Sequence, residues 1–292
     1  MKSKNGTIGD HAGGWAWLDV SAGWAWLDRL AGRAWLDVRK KMHITPSLVA
    51  LWNYGEKGLR MKILVVADEE CRSLWNYYSP EKLKGVDLII GCGDLKADYL
   101  EFLMTMANVP VYYVRGNHDA SYETKPPLGC ICIDDRVVTY KGVRIMGLGG
   151  SMRYKDGPFM YSEGEMKGRI NRAGVSILAH RGVDILVTHA PAKGYGDLED
   201  VAHRGFNCFN KLLEETRPLY MLHGHVHSTY QGGNFARVIE HPSGAKIINA
   251  FEKYILDYDE KRHSPATMRE LAINLNSVVI RKSYRNMDLK DV

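Results

Sequence analysis

No stretch of this 292-residue chain approaches the roughly 20 consecutive apolar residues that cross a bilayer, so no membrane role is expected. The opening Met1-Lys-Ser-Lys-Asn-Gly6 leads into no apolar h-region, which leaves a secretory signal unsupported. Cysteine is scarce: five residues, at 71, 92, 130, 132 and 208, odd in number and scattered. Cys130-x-Cys132 lacks the two-residue gap of a common zinc knuckle, and no second pair answers it. Reduced thiols in a cytoplasmic protein are the expectation. An excess of one charge is also missing from most of the chain. The formal net charge is +5, and nine Lys/Arg against five Asp/Glu in residues 1–60 account for +4 of it. Residues 61–292 are therefore close to neutral, and a broad footprint for long duplex nucleic acid is absent.

What is present divides unevenly. Six of the seven tryptophans lie between positions 15 and 52, and a Trp-Leu-Asp motif recurs every nine residues at 17–19, 26–28 and 35–37. So short a repeat matches no solenoid unit and offers a sticky surface without a core. A nine-residue period is equally a DNA repeat read through in frame. The segment Gly55-Glu-Lys-Gly58, whose codons can be purine-rich like a ribosome-binding site, stands just before Met61. Residues 1–60 are thus read as a leader or, preferentially, as non-native sequence ahead of a start at Met61. A domain over 61–260 and a modestly amphipathic tail over 261–292 follow.

From Met61 onward, strand-like and helix-like segments alternate. Apolar, β-branched runs at 62–67, 86–90, 109–114, 136–140, 143–148, 184–188 and 219–222 read as strands. Lys141-Gly142 marks a hairpin. Three- and four-residue spacing of apolar residues predicts helices over 97–107 and 206–216, and Ser162 with Glu165 makes a capping box for a helix running to about 175. Residues 236–256 read as two closing strands around Ser243-Gly244.

The polar residues fall where these strands end. The first run ends in Asp68, the second in Gly91-Cys-Gly-Asp94 and the third in Arg115-Gly-Asn-His-Asp119. Two more end in His189 and in His223-Gly-His-Val-His227. In α/β sheets the carboxyl ends of strands are where ligands bind. Carboxylate, amide and imidazole groups together hold ions such as Zn, Mn, Fe or Mg.

These segments resemble the calcineurin-like metallophosphoesterases, whose pattern runs D-x-H, G-D, G-N-H-D/E, H and G-H-x-H. Here they stand in that order as Asp68-Glu-Glu70, Gly93-Asp94, Gly116-Asn-His-Asp119, His189 and Gly224-His-Val-His227. The resemblance covers about residues 61–255. It implies an α/β fold of four layers, an αββα sandwich of two mixed sheets between helices. It also implies two divalent ions, with Asp94 bridging them, Asp68 and His227 on the first, and Asn117, His189 and His225 on the second. A hydroxide held between ions roughly 3.5–4 Å apart would attack phosphorus in line with the leaving oxygen. His118 would contact the phosphoryl group and protonate the leaving group, with Asp119 orienting its ring.

One position departs from the pattern: Glu70 replaces the first histidine. Ligation by Glu70 would make the first site oxygen-rich and favour Mn²⁺ or Mg²⁺ over Zn²⁺, with Fe²⁺ also compatible. Otherwise Glu70 stays out and the first ion is weak or absent. The carboxylate count favours ligation. The loop Gly149–Lys155, with Arg153 and Tyr154, and Arg204 in His203-Arg-Gly205 before a helix start, are further substrate-binding candidates. The expected activity is hydrolysis of a small or moderate-size phosphodiester or phosphomonoester. A nuclease on short or single-stranded nucleic acid and a catalytically silent scaffold of the same fold are the alternatives.

Overall fold

The strand-forming runs lack the polar-apolar alternation of a half-exposed sheet because both of their faces are covered. In the computed structural model, which describes residues 59–231 and 235–260, every residue of the second, sixth, ninth and tenth strands is buried. The Trp-Leu-Asp repeat and the tail after 260 lie outside the described residues.

In chain order the elements are β1 (Leu59–Ala67), β2 (Leu88–Gly91), α1 (Ala97–Ala107), β3 (Val111–Tyr113), β4 (Ile131–Cys132), β5 (Val137–Tyr140) and β6 (Val143–Leu148). Then come β7 (Ser151–Met152), β8 (Met160–Tyr161), α2 (Glu163–Ala179), β9 (Ile185–Thr188), α3 (Asn207–Thr216), β10 (Tyr220–His223), β11 (Val238–Glu240), β12 (Lys246–Asn249) and β13 (Glu252–Glu260). One sheet has the order β13-β1-β2-β3-β4 and the other β11-β12-β10-β9-β6-β5. Both are mixed: β1-β2-β3-β4 and β6-β9-β10-β12 pair in parallel, while β13, β11 and β5 join antiparallel.

The period of two in each strand sorts its side chains into layers. Ile63 and Val65 of β1, Leu88 and Ile90 of β2, Ile185 and Val187 of β9, and Tyr220 and Leu222 of β10 meet in one core between the sheets. The alternate residues face outward. Leu64, Val66 and Ile89 pack under Tyr99, Leu100 and Leu103 of α1. Leu186, Met221 and Ile247 pack under Met166 and Ile177 of α2 and Phe209 and Leu213 of α3. The result is the four-layer αββα sandwich, and each fully buried aliphatic side chain in it contributes about 1.5–3 kcal/mol.

The capping box forms: Ser162 Oγ accepts from the Glu165 amide, and Glu165 accepts from the Ser162 amide at 2.7 Å. The hairpin at Lys141-Gly142 joins β5 to β6. The C-terminal region differs from expectation. β11 and β12 pair around Ser243-Gly244, but a third strand, β13, returns to the other sheet and pairs with all nine residues of β1. Three two-residue strands, β4, β7 and β8, are too short to leave a periodic signal.

Candidate metal centre

The carboxyl ends of β1, β2 and β3 in one sheet and of β10 in the other open onto one cavity of about 260 Å³, and His189 at the end of β9 is buried beneath it. Its lining includes Asp68, Asp94, Asn117, His118, His225 and His227. Two glycines let the strand ends approach closely there, Gly224 between the two sheets and Gly116 between neighbouring loops of one sheet. A Cβ on Gly224 would stand 2.6 Å from both the Ala67 Cβ and Asp68 Oδ2. A Cβ on Gly116 would stand 2.0 Å from Asp94 Oδ1. Three of the polar residues carry left-handed backbones: Asp68 at φ 67°, Asp94 at φ 56° and His225 at φ 69°. Such conformations cost on the order of 1–3 kcal/mol each and persist where the surrounding structure imposes them.

Hydrogen bonds set which atom each donor presents. His189, fully buried, has Nδ1 at 2.8 Å from the Cys92 carbonyl, an acceptor only, so that nitrogen carries a proton. Its Nε2 faces Asn117 Oδ1 at 3.0 Å and Asp94 Oδ2 at 3.2 Å. His225 has Nε2 at 2.7 Å from the Ala202 carbonyl, which leaves Nδ1 as its lone pair. Ligand atoms of Asp94, His189 and His225 lie within 4.8 Å of one another. Asp68 Oδ1 accepts the His225 amide at 2.7 Å, whereas Oδ2 is enclosed and has no hydrogen-bond partner.

These groups call for positive charge. Burial, with Asp94 and Asp119 nearby, raises the Asp68 carboxyl to about 7 against the opposing pull of His189. Burial also raises the Asp94 carboxyl, but His189 more than offsets it and holds it below the usual range. Burial lowers His189, and the Asp94 carboxylate beside it overcomes this and raises it. Burial and the charge of His189 depress His225. A proton held between Asp94 and His189 occupies the position that a divalent ion would take, so ion uptake would release protons. The enclosed Asp68 oxygen, the converging Asp94, His189 and His225 atoms and the fixed tautomers fit a metal site.

The remaining expected residues fall in different places. His118 is exposed and lines the cavity, and its amide is tied to Asp94 Oδ1 at 2.7 Å. Asp119 was expected to orient the His118 ring; instead its Oδ2 accepts the amides of Gly116 at 2.7 Å and Asp94 at 2.9 Å, bracing the two ligand loops. Burial and the Asp94 charge raise its carboxyl to about 6. His223 is packed in the interior, with burial depressing it to about 4.

Glu70, expected as a ligand, is engaged with Lys96 in this structure. Its carboxylate accepts the Lys96 amide at the start of α1 and pairs with the Lys96 ammonium, both at 3.3 Å, and it does not line the cavity. A carboxylate is favoured at a helix N-terminus. Arg153 is likewise engaged elsewhere, with Glu165 at 2.9 Å and the Met160 carbonyl. Arg204 is exposed, reaches the Glu199 carbonyl and does not line the cavity. The α3 N-terminus offers no anion site, because Glu163 already accepts the amides of Asn207 and Cys208. Tyr154 does line the cavity, with its hydroxyl 3.5 Å from Asn117 Nδ2. His203, from the candidate segment His203-Arg-Gly205, lines it too, as does Tyr230, which was not singled out in advance. Asp200, three residues before His203, offered a turn signal, since Asp side chains bond to the backbone two or three residues on.

A family model described as calcineurin-like phosphoesterase matches residues 61–229. The UPF0046 protein T07D4.2 of Caenorhabditis elegans is 30% identical over 104 residues, which cover 34% of this chain and 24% of that protein. The chain thus spans about a quarter of that relative's length. Among solved structures, TT1561 of Thermus thermophilus is similar at 13% identity and a TM-score of 0.48, over 68% of this chain and 95% of that chain. A second solved structure is similar at 13% identity and a TM-score of 0.49, over 69% of this chain and 100% of that one. The family model spans more than half of the sequence, and on that ground the chain belongs to the calcineurin-like phosphoesterases, a family that generally binds divalent metals and is typically hydrolytic.

Proposed function

We propose that this protein hydrolyses a small phosphodiester or phosphomonoester with the help of two divalent metal ions, Mn²⁺ foremost. The observation that carries the reading is the convergence of the Asp94, His189 and His225 ligand atoms within 4.8 Å beside the enclosed, unpartnered Asp68 Oδ2. Asp94, Asn117, His189 and His225 would hold one ion, and Asp68, Asp94 and His227 the other. When bound, such ions polarise a phosphoryl oxygen and make a water nucleophilic at neutral pH. Asp119 keeps Gly116 and Asp94 in register, so that the Asp94 carboxylate meets the donors from the other sheet. His118, tethered through its amide yet exposed at the ring, is free to contact the phosphoryl group and give a proton to the leaving oxygen. No lysine or arginine lines the cavity among the described residues, which suits a small ester better than a nucleic-acid polymer.

The experiment is hydrolysis of a chromogenic phosphodiester and a chromogenic phosphomonoester by metal-stripped protein, with Mn²⁺, Mg²⁺, Fe²⁺ or Zn²⁺ restored one at a time. Turnover is expected to return with the ion, and the preferred ester separates diesterase from phosphatase. His118→Ala is expected to lose about 10²–10⁴-fold in turnover at unchanged metal content. A folded protein inert with every ion would refute the reading.

A further inference from the structure

Cationic side chains are missing from the cavity lining, but aromatic rings are not. Tyr230 stacks on His227 with ring centroids 4.8 Å apart and planes 10° from parallel. His203 leans on Tyr230 at 4.8 Å and 52°, and on His225 at 5.3 Å and 42°. The imidazoles of the G-H-x-H motif thus continue outward into a wall of rings that runs from the donor cluster to the mouth. Core packing does not account for this wall, because Tyr230 is 51% exposed. Val201, two residues before His203, is 52% exposed and adds an apolar patch to the same segment.

The wall is held in place from behind. Asp200 Oδ1 accepts the amides of Ala202 and His203 and also lies 2.9 Å from His203 Nδ1. The Ala202 carbonyl is bound to His225 Nε2, so the segment is fixed to the same imidazole whose other nitrogen faces the donors. A surface held this way loses little conformational freedom when a ligand covers it.

Resting on the phosphoesterase reading, we propose that the ester hydrolysed here carries a planar aromatic ring beside its phosphate, and that Tyr230 and His203 receive that ring. An aromatic ligand gains from such a wall beyond the area it buries, because ring quadrupoles favour offset and edge-to-face contacts that a saturated ring of similar size cannot make. The phosphate would sit at the donors and the ring at the mouth. The ligand class is therefore a phosphate ester that also carries an aryl or heteroaryl ring, a nucleoside phosphate among them, rather than an ester of a simple sugar or alkyl alcohol with no aromatic ring.

The test uses the metal-loaded full chain and two phosphonates that cannot be hydrolysed, benzylphosphonate and cyclohexylmethylphosphonate, as competitors of the chromogenic ester. Benzylphosphonate is expected to inhibit about three- to tenfold more tightly. Tyr230→Leu is expected to erase that preference and Tyr230→Phe to keep it, with metal content measured for each variant. Equal inhibition by the two phosphonates, with metal-dependent hydrolysis intact, overturns the ring subsite and leaves the phosphoesterase reading standing. A preference that survives in a Tyr230→Leu protein with full metal content overturns the assignment to this wall. Absence of both inhibition and metal-dependent hydrolysis overturns both readings.

Discussion

Replacing Gly116 by alanine should dismantle the candidate metal centre although no proposed ligand is itself replaced. The added Cβ would stand 2.0 Å from Asp94 Oδ1 and 2.6 Å from both the Asp94 Cγ and the Asp94 amide nitrogen. Contacts under 3.0 Å are essentially never made by a real Cβ, so the carboxylate must retreat by about 1 Å. Asp94 has no slack for that movement, since Oδ1 holds the His118 amide at 2.7 Å and its own amide is held by Asp119 at 2.9 Å. Strain of this kind costs about 1–3 kcal/mol of stability. A displacement of about 1 Å at a reacting centre costs on the order of 10²-fold in turnover. Gly164→Ala is the control, because nothing lies within 4 Å of the Cβ it would add in the first turn of α2. That change is expected to leave activity alone and to stabilise by about 0.4–1 kcal/mol. Calorimetric titration of stripped protein with Mn²⁺, followed by turnover and thermal unfolding, reads all three quantities. Wild-type Mn²⁺ affinity and turnover within about twofold in Gly116→Ala would refute the reasoning.

Three other expectations concern pH, Glu70 and the chain start. Asp68 is raised from 3.8 to about 7 in the fold, so its contribution is fully present below about pH 4 and is lost as pH rises through 7. Metal-free Asp68→Asn should therefore match the wild type near pH 4 and exceed it by about 4 kcal/mol at pH 8. Adding Mn²⁺ should reverse that order. Denaturant unfolding curves that run parallel at all pH values would defeat this. Glu70→Ala should lower stability by about 1 kcal/mol or less and leave ion stoichiometry unchanged, because the pair it breaks is with Lys96; loss of one bound ion in a metal assay would reinstate Glu70 as a ligand. A chain beginning at Met61 should fold and keep full activity, since the pairing of β1 with β13 from Met61↔Tyr258 to Ala67↔Glu252 is retained; failure in circular dichroism or in turnover would contradict it.

The sequence was most legible where local pattern and burial coincide. The runs feeding Asp68, Asp94, Asn117, His189 and His225 are strands because both faces are covered, and a polar residue after such a run stands at a sheet edge. Helix α2 was readable from its cap, since Ser162 and Glu165 are three residues apart and satisfy each other's amides. What escaped depends on partners distant in sequence. Glu70 looks like a ligand from its neighbours alone, yet Lys96, 26 residues on, claims it. His203 lies in a loop and Tyr230 in a single 3-10 turn, Ser228–Gln231, too short for any periodicity, and only the folded chain sets them beside the metal-site histidines. The pairing of β13 with β1 joins segments nearly 200 residues apart, a separation that no local window spans.

That last pairing has a bearing on how the protein is made. Leu59 faces Glu260 across an antiparallel ladder, where opposed Cα atoms lie about 4.5–5.5 Å apart, so the described region enters and leaves at the same point. During synthesis β1 must wait for one partner until β13, the last of the described strands, has emerged, and Asp68 follows directly on β1. A chain stopped short of β13 would leave that edge of β1 unpaired. For the same reason the two ends of the described region, Leu59 and Glu260, could be joined by a short linker and new ones opened at the Lys141-Gly142 hairpin, leaving the sheets and the cavity as they are.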